Sequence, residues 1–243
     1  MKAMIFAAGL GTRLKPLTDT MPKAMVPIAG KPLLEHTIER IKSVGIKHII
    51  INVHHFADQI IDFLNSKNNF DIHIDISDER DELLETGGGI KKATNFLAGN
   101  ESILIHNVDI LSNADLNQLI KTHNDSRADA TLLVNKRNSS RHLLFDKKQQ
   151  LVGWENTNTG ETKSAYENFD PQNYQPFSFA GIHIISPTIL KAMQNEKWNG
   201  KFSIIDFYLQ SVKEITILGH QDPELQLLDV GKLDSLEKAE LFV

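Results

Sequence analysis

The chain has 243 residues, 41% of them hydrophobic and 23% charged, a composition typical of a globular protein with a substantial core. Its formal net charge of −5 argues against nucleic acid as a partner, because nucleic-acid-binding proteins usually present a basic surface. It has no cysteine, which excludes disulfides and thiolate chemistry, and no apolar run of membrane-spanning length, so we expect a cytoplasmic protein with no membrane partner.

The first half of the chain alternates predicted strands and helices. Short apolar runs predict buried strands, and apolar residues on one helical face predict helices. In chain order these are strand 2–8, helix 33–44, strand 48–53, helix 56–65, strand 72–77, helix 89–97, strand 102–106, helix 115–123 and strand 130–134. Repeated strand–helix–strand units indicate an α/β fold, Rossmann-like, with a mixed but mostly parallel sheet and helices on both faces.

The second half is less regular and predicts a small β-rich lobe. Its predicted elements are a hairpin at 143–152, a polar and mobile or ligand-covering segment at 156–170, a strand at 177–185, helices at 187–193 and 203–212, strands at 214–218 and 226–228, and a closing helix at 232–241. The loops after the first, third and fourth strands are expected to meet at one sheet edge, where such folds bind ligands.

A glycine-rich segment, Gly9-Leu10-Gly11-Thr12-Arg13, follows the first strand directly. Glycines let backbone N–H groups converge on phosphate oxygens, although a plain tight turn is an open alternative. Leu14 stands where a dinucleotide fingerprint needs its third glycine, and the Gly-Lys-Ser/Thr of a P-loop is absent. Arg13 and the later Lys23 add cations that suit a triphosphate, although Lys23 taken alone is better interpreted as a solvated surface lysine.

Other polar residues are candidates for metal or ligand contacts. Asp109 and Asp229 each follow an apolar strand, so their carboxylates could share a magnesium ion or, alternatively, cap helices. The run from Thr86 to Gly89 predicts a flexible helix entry that approaches a base or an anion, with an ordinary first turn as the alternative. The ten histidines form no metal-binding motif, and structural roles are favoured for them.

The segment Ala7-Ala8-Gly9-Leu10-Gly11-Thr12-Arg13-Leu14, followed by Pro22-Lys23, closely resembles the signature of sugar-1-phosphate nucleotidylyltransferases. The resemblance continues at Gly30-Lys31-Pro32-Leu33, Leu84-Glu85-Thr86-Gly87-Gly88-Gly89, Asn107-Val108-Asp109, Phe179-Ala180-Gly181-Ile182 and Asp229-Val230-Gly231. Within that family the chain looks most like N-acetylmuramate 1-phosphate uridylyltransferases, with mannose- and heptose-1-phosphate guanylyltransferases close behind.

The resemblance implies that a nucleoside monophosphate passes from a nucleoside triphosphate to a sugar 1-phosphate with release of pyrophosphate. It also implies roles for individual residues. Arg13 and Lys23 would be catalytic; Ala7, Ala8, Gly9, Gly11, Thr12, Arg13, Thr86, Gly87, Gly88 and Gly89 would bind the nucleotide; Asn107, Glu155 and Gly181 would bind the sugar phosphate; and Asp109 and Asp229 would bind Mg²⁺.

The chain departs from the family where a Glu-Lys-Pro segment often holds the sugar phosphate, because it has Trp154-Glu155-Asn156 there. Lys163 is the candidate replacement for the missing lysine. On this reading residues 1–243 form one domain, with a nucleotide-binding core at 1–135, a sugar-binding part at 136–230 and a closing helix at 231–243. A monomer and a dimer both stay open, as do a metal-dependent glycosyltransferase and a non-catalytic nucleotide-sugar sensor.

Overall fold

The computed structural model of the protein describes residues 1–242. Within them the strands are β1 (Lys2–Phe6), β2 (Pro27–Ile28), β3 (Lys31–Pro32), β4 (His48–Val53), β5 (His73–Asp78), β6 (Ile103–Asn107), β7 (Ile110–Ser112), β8 (Ala130–Asn135), β9 (Arg141–Phe145), β10 (Leu151–Asn156), β11 (Glu161–Lys163), β12 (Gln175–Ile185), β13 (Ile217–Gln221) and β14 (Leu227–Asp229). The α-helices are α1 (Leu33–Ser43), α2 (Ala57–Ser66), α3 (Glu85–Lys92), α4 (Thr94–Leu97), α5 (Leu116–Ser126), α6 (Pro187–Ala192), α7 (Ile204–Ser211) and α8 (Leu236–Glu240).

A mixed sheet runs through the whole molecule. Its main path is β11-β10-β9-β12-β6-β1-β4-β5, and β8 joins it by pairing with β12 and β13. Strands β6, β1, β4 and β5 are mutually parallel, whereas β12 is antiparallel to β6, β8 and β9. The predicted α/β fold with a mostly parallel core is therefore confirmed, and the antiparallel strands of the second half continue the same sheet.

After its first residue, Lys2, strand β1 is apolar because both faces of the sheet are covered. Ala3 and Ile5 point into one core with residues of α1 and α2, and Met4 points into the other with residues of α3, α6 and α7. Burying both faces requires continuous rather than alternating hydrophobicity, the pattern expected for a central parallel strand. Within residues 1–242, no helix combines the length and apolar character needed to cross a bilayer.

Several predicted boundaries are wrong. The helix predicted at 89–97 is two helices, and the first begins at Glu85. The polar segment 156–170 contains an edge strand, β11, whose residues are all exposed and therefore carry no apolar signal. The strand predicted at 214–218 begins only at Ile217, where it comes into parallel register with Ala130 of β8. The closing helix is shorter than predicted, because a 3-10 turn at Leu233–Ser235 precedes α8.

Two histidines are buried where β6 and β12 pair, and they make the stability of the protein sensitive to acid. Burial lowers the pKa of His106 to about 4 and that of His183 to about 3, from an ordinary value of 6.5. Between these values the unfolded chain binds protons that the folded chain excludes, so stability falls as pH falls below 6.5.

We expect the free energy of unfolding to drop by about 4 kcal/mol between neutral pH and about pH 5, at roughly 1.4 kcal/mol per pH unit for each histidine. Urea denaturation at both pH values measures this drop. A His183→Asn variant isolates the histidine contribution from that of the carboxylates, and its drop should be about half as large. An unchanged drop in the variant would contradict this account.

Candidate active site

The glycine loop after β1 is held by its own backbone. Gly11 has a φ of 63°, and a Cβ there would lie 2.8 Å from Cγ2 of Thr18. The carbonyl oxygen of Gly11 accepts hydrogen bonds from the Leu14 N–H at 2.8 Å and the Thr18 hydroxyl at 2.9 Å. Gly11 therefore serves the turn itself. Gly9, in contrast, is exposed and faces open space, since a Cβ there would meet nothing within 4 Å.

A buried amide and a buried carboxyl group hold the start of this loop. The Asn52 side-chain oxygen accepts hydrogen bonds from the Ala7 and Ala8 N–H groups, at 2.7 and 3.3 Å. The Asn52 amide nitrogen donates to Glu79 Oε1 at 2.8 Å, and Glu79 Oε2 accepts from the Leu84 N–H at 3.2 Å. Burial raises the pKa of Glu79, while its hydrogen bonds from Asn52 and Leu84 oppose the rise. The network links the ends of β1, β4 and β5.

A lysine and two aspartates lie at the same edge of the sheet. Lys23, only 7% exposed, forms an ion pair with Asp109, which follows β6. The Asp109 carbonyl oxygen accepts from the Val230 N–H at 2.8 Å, which places Asp229 at the adjoining end of β14. A Cβ on Gly231 would lie 2.6 Å from Asp229 Oδ1 and 3.0 Å from Nη2 of Arg13, so Arg13 and Asp229 converge on Gly231.

The two aspartates fit a magnesium ion by their chemistry. Both supply hard carboxylate oxygens from neighbouring backbone segments, and Mg²⁺ is typically held by one or two carboxylates together with substrate phosphates. Neither aspartate caps the nearest described helix end, because the 3-10 turn after Asp229 has Lys232 at its N-cap and Asp109 is followed by β7. The helix-cap alternative is therefore set aside.

A first cavity of about 410 Å³ gathers most of the predicted nucleotide-binding residues. It contains every predicted residue of the glycine loop, both predicted catalytic residues, and one of the two predicted metal ligands. The lining consists of Phe6, Ala7, Ala8, Gly9, Leu10, Gly11, Thr12, Arg13, Lys23, Asn52, Glu79, Leu83, Glu85, Thr86, Asn107, Val108, Asp109 and Gly231.

The prediction that residues 86–89 form a flexible entry to a helix is wrong. These residues lie inside α3, and only Thr86 of the four lines the first cavity. A Cβ on Gly87 would lie 2.3 Å from the Phe202 ring, and one on Gly88 would lie 2.5 Å from the Gly200 carbonyl oxygen. One on Gly89 would lie 2.9 Å from Glu79 Oε1. Close packing around α3 thus explains the glycines, and a contact between this segment and the base stays a prediction.

A second cavity of about 930 Å³ adjoins the first and is strongly polar. Arg13 lines both. The other lining residues are Arg137, Asn138, Ser139, Ser140, Arg141, His142, Leu143, Trp154, Asn156, Glu161, Lys163, Phe179, Ser203, Ile205, Asp206, Leu209, Asp229 and Lys232. The Lys163 ammonium group lies 5.2 Å from the centre of the Trp154 ring and 3.4 Å from Asp206. Lys163, the candidate replacement for the missing sugar-phosphate lysine, therefore lines the second cavity.

Two of the three predicted sugar-phosphate residues are neighbours. Asn107 lines the first cavity, and a Cβ on Gly181 would lie 2.9 Å from its amide nitrogen. Gly181 lines neither cavity, and a direct sugar contact by Gly181 stays a prediction. Glu155 also lines neither, although it lies 3.4 Å from Nδ1 of His142, which does. A direct sugar contact by Glu155 stays a prediction.

Comparison with known proteins decides the family. The profile of the Nucleotidyl transferase family matches residues 2–243. The chain belongs to this family. An N-acetylmuramate alpha-1-phosphate uridylyltransferase from Caulobacter vibrioides is 30% identical over 227 residues, which cover 89% of this chain and 86% of the relative. A mannose-1-phosphate guanylyltransferase from Mycobacterium tuberculosis is 38% identical over 130 residues, which cover 54% of this chain and 36% of the relative.

Solved structures show the same fold. HddC from Yersinia pseudotuberculosis, crystallised with GMP-PN, has a TM-score of 0.76 at 24% identity and matches 99% of this chain and 98% of that one. A putative glucose-1-phosphate thymidylyltransferase from Bacillus anthracis has a TM-score of 0.82 at 17% identity, covering 99% and 94%. With the family established, this nucleotidyltransferase acts on a nucleoside triphosphate and a sugar 1-phosphate.

Several residues of the nucleotidyltransferase cavities were missed from the sequence. Asn52 carried a usable signal, because it is a polar residue near the end of an otherwise apolar strand. Glu79 lies one residue beyond β5 in an acidic stretch that looks solvent-exposed, yet it is fully buried. Arg137 and Arg141 lie at the two ends of a polar loop with no periodic pattern. Only the fold shows that they face a cavity.

Gly9 offers a direct test of the first cavity. Gly9→Ala should fold with unchanged stability, because the added methyl group meets nothing within 4 Å. If phosphate oxygens approach the Gly9 backbone, the methyl group should raise the KM for the nucleoside triphosphate about tenfold or more. Steady-state kinetics and thermal unfolding measure the two effects. An unchanged KM in Gly9→Ala would remove Gly9 from the nucleotide site.

Proposed function

We propose that this nucleotidyltransferase transfers the uridylyl group of UTP to N-acetylmuramate 1-phosphate, in a magnesium-dependent reaction that releases pyrophosphate. The observation that carries the choice of acceptor is the excess of cationic side chains in the second cavity. The choice of uracil is supported by the Caulobacter vibrioides uridylyltransferase, which matches most of both chains. The same assignment would place the enzyme in cell-wall recycling in the cytoplasm.

Two arginines of the second cavity have no acidic partner among residues 1–242. Arg137 donates to the Phe179 carbonyl oxygen at 3.1 Å, and neither Arg137 nor Arg141 forms an ion pair with a described carboxylate. Lys163, in contrast, is already paired with Asp206. A guanidinium group offers paired donors that match a carboxylate or phosphate. The cavity is therefore suited to an acceptor with more acidic groups than a single phosphate.

N-acetylmuramate 1-phosphate is such an acceptor, because it carries a lactyl carboxylate in addition to its phosphate. Mannose 1-phosphate and heptose 1-phosphate carry no second acidic group. A transfer from GTP to one of these sugars is the second candidate, since guanylyltransferases are also among the relatives. The charge of the second cavity favours the first candidate over the second.

In the reaction, an oxygen of the sugar phosphate attacks the α-phosphorus in line, and the bond between that phosphorus and the bridging oxygen to the β-phosphate breaks. Pyrophosphate leaves with the electron pair. No general base is needed, because the attacking oxygen is already anionic. Lys23 and Arg13 both line the first cavity, and with the triphosphate bound there they would offset negative charge that builds up at the α-phosphate. A magnesium ion held by Asp109 and Asp229 would neutralise further phosphate charge.

The test is a matrix of nucleoside triphosphates against sugar 1-phosphates, read by pyrophosphate release with Mg²⁺. We expect the largest kcat/KM for UTP with N-acetylmuramate 1-phosphate. Faster release from GTP with mannose or heptose 1-phosphate would overturn the proposed substrates. Release of a nucleoside diphosphate from a nucleotide-sugar, without pyrophosphate, would instead indicate a glycosyltransferase, and no turnover with any pair would indicate a sensor.

The division into a nucleotide-binding core at 1–135 and a sugar-binding part at 136–230 remains a proposal of the same kind. It has support in the lining of the second cavity, which draws most of its residues from the second segment. Arg13 belongs to the first segment but lines both cavities.

A further inference from the structure

A cluster of two histidines and an aspartate, His48, His73 and Asp75, lies outside both cavities. His48 begins β4 and His73 begins β5, the edge strand of the sheet. The cavities lie at the opposite ends of these strands, where Asn52 contacts the glycine loop. At about 3.3 Å per residue, the cluster is roughly 13 Å from Asn52 along β4. It is therefore not part of the nucleotidyltransferase site.

The register between β4 and β5 brings the three side chains of the cluster together. His48 and His73 are direct partners in the parallel ladder, and Asp75 is two residues beyond His73, so all three side chains lie on one face. Nε2 of His48 lies 2.6 Å from Asp75 Oδ2, and Nε2 of His73 lies 3.2 Å from the same oxygen. The two rings are perpendicular, with centroids 4.3 Å apart. Both imidazoles thus direct a nitrogen to one point.

We propose that His48, His73 and Asp75 form a binding site for a transition-metal cation, with zinc as the best-fitting ion. The three donor atoms lie within 4.8 Å of one another. Around tetrahedral zinc, ligands at about 2.0–2.1 Å lie roughly 3.3 Å apart, so coordination needs only small movements of these side chains. Two imidazoles and one carboxylate suit zinc, cobalt or nickel, whereas magnesium prefers oxygen donors.

The exposure of the cluster leaves room for a water as the fourth ligand. His48 and Asp75 are 28% and 24% exposed, and His73 is 64% exposed. The ion would replace the protons through which the imidazoles now bond to Asp75. It would also tie edge strand β5 to β4. Because the site requires the folded ladder, an ion bound there stabilises the folded chain.

The experiment is isothermal titration of the metal-free protein with ZnCl₂, in excess MgCl₂ to occupy the magnesium site proposed at Asp109 and Asp229. We expect one zinc site in the wild type and at least a tenfold weaker one in His73→Ala and in Asp75→Asn. Thermal unfolding with and without zinc is the second readout, and zinc should stabilise the wild type but neither cluster variant. His55→Ala, which changes an exposed histidine outside the cluster, is the matched control.

Cobalt gives an independent signature, since bound four-coordinate Co²⁺ has visible d–d absorption that the aqueous ion largely lacks. Wild-type protein should show these bands and the His48→Ala His73→Ala double variant should not. Asp75→Asn keeps the shape of the side chain and guards against a variant that misfolds. Equal zinc affinity in the wild type, Asp75→Asn and the double variant would overturn the proposal without bearing on the nucleotidyltransferase reaction.

Discussion

Replacing Lys23 with alanine is expected to lower kcat by about 10²–10³-fold while the protein stays folded. Lys23 is buried in the wall of the first cavity, and its ammonium group pairs with Asp109. The substitution removes a fixed positive charge from the place where phosphate charge develops. Charge already positioned before the reaction acts most strongly in a site that excludes water, so its loss should appear mainly in kcat.

Single-turnover and steady-state kinetics separate this effect from weaker binding. The matched control is Lys15→Ala, which removes a nearby lysine that is 60% exposed and pairs with Asp19. Asp109→Asn should also lose turnover, because it removes a proposed magnesium ligand and the partner of Lys23. If Lys23→Ala and Asp109→Asn both retain turnover within tenfold of the wild type, the roles assigned to these residues are wrong.

The double substitution Arg137→Ala Arg141→Ala is expected to lower kcat/KM for N-acetylmuramate 1-phosphate by about 10²–10⁴-fold. Each guanidinium group would lose a charge-assisted contact with the acceptor, worth roughly 1.5–3 kcal/mol. The decisive comparison is N-acetylglucosamine 1-phosphate, which has the same sugar phosphate without the lactyl carboxylate. Its much lower wild-type kcat/KM should change little in the double variant.

Measuring both acceptors with the wild type and with the double variant gives a thermodynamic cycle, which isolates the interaction between the arginines and the lactyl carboxylate. If the arginines bind the carboxylate, the preference for the acidic acceptor should collapse; if they bind only the phosphate, both acceptors should suffer equally. Lys147→Ala, in the exposed turn between β9 and β10, tests for a general effect of lost positive charge. Equal losses for both acceptors would contradict carboxylate recognition.

The sequence was most informative where local pattern and topology coincide. The buried residues of strands β1 and β6 are mostly apolar because both sheet faces are covered, and the segments that follow these parallel strands lie at one edge of the sheet. That argument brings Gly9 and Asp109 together without coordinates. Lys23, in a 3-10 turn further along the chain, was a candidate from its charge and from the family signature. The family signature added the roles of these residues and a reason to expect Asp229 nearby.

Other features could not be predicted from local sequence patterns, mostly because they depend on contacts between residues that are far apart in the chain. Three successive glycines suggested a loop, but their cause is the Phe202 ring and the Gly200 carbonyl packed against α3, more than 100 residues later in the chain. Strand β11 is entirely exposed, so nothing in its hydrophobicity reveals it. His48 and His73 are 25 positions apart and become neighbours only through the register of β4 and β5.

Arg13 belongs to the walls of both cavities, so it would link the two proposed substrate sites thermodynamically. Its guanidinium group has a limited set of N–H donors, so a donor that bonds one anion would not be available to the other. Such a penalty would be reciprocal, because each substrate would weaken the binding of the other by the same factor. Acceptor affinities measured with and without a non-hydrolysable nucleotide would give that factor, and in Arg13→Gln it should shrink towards one.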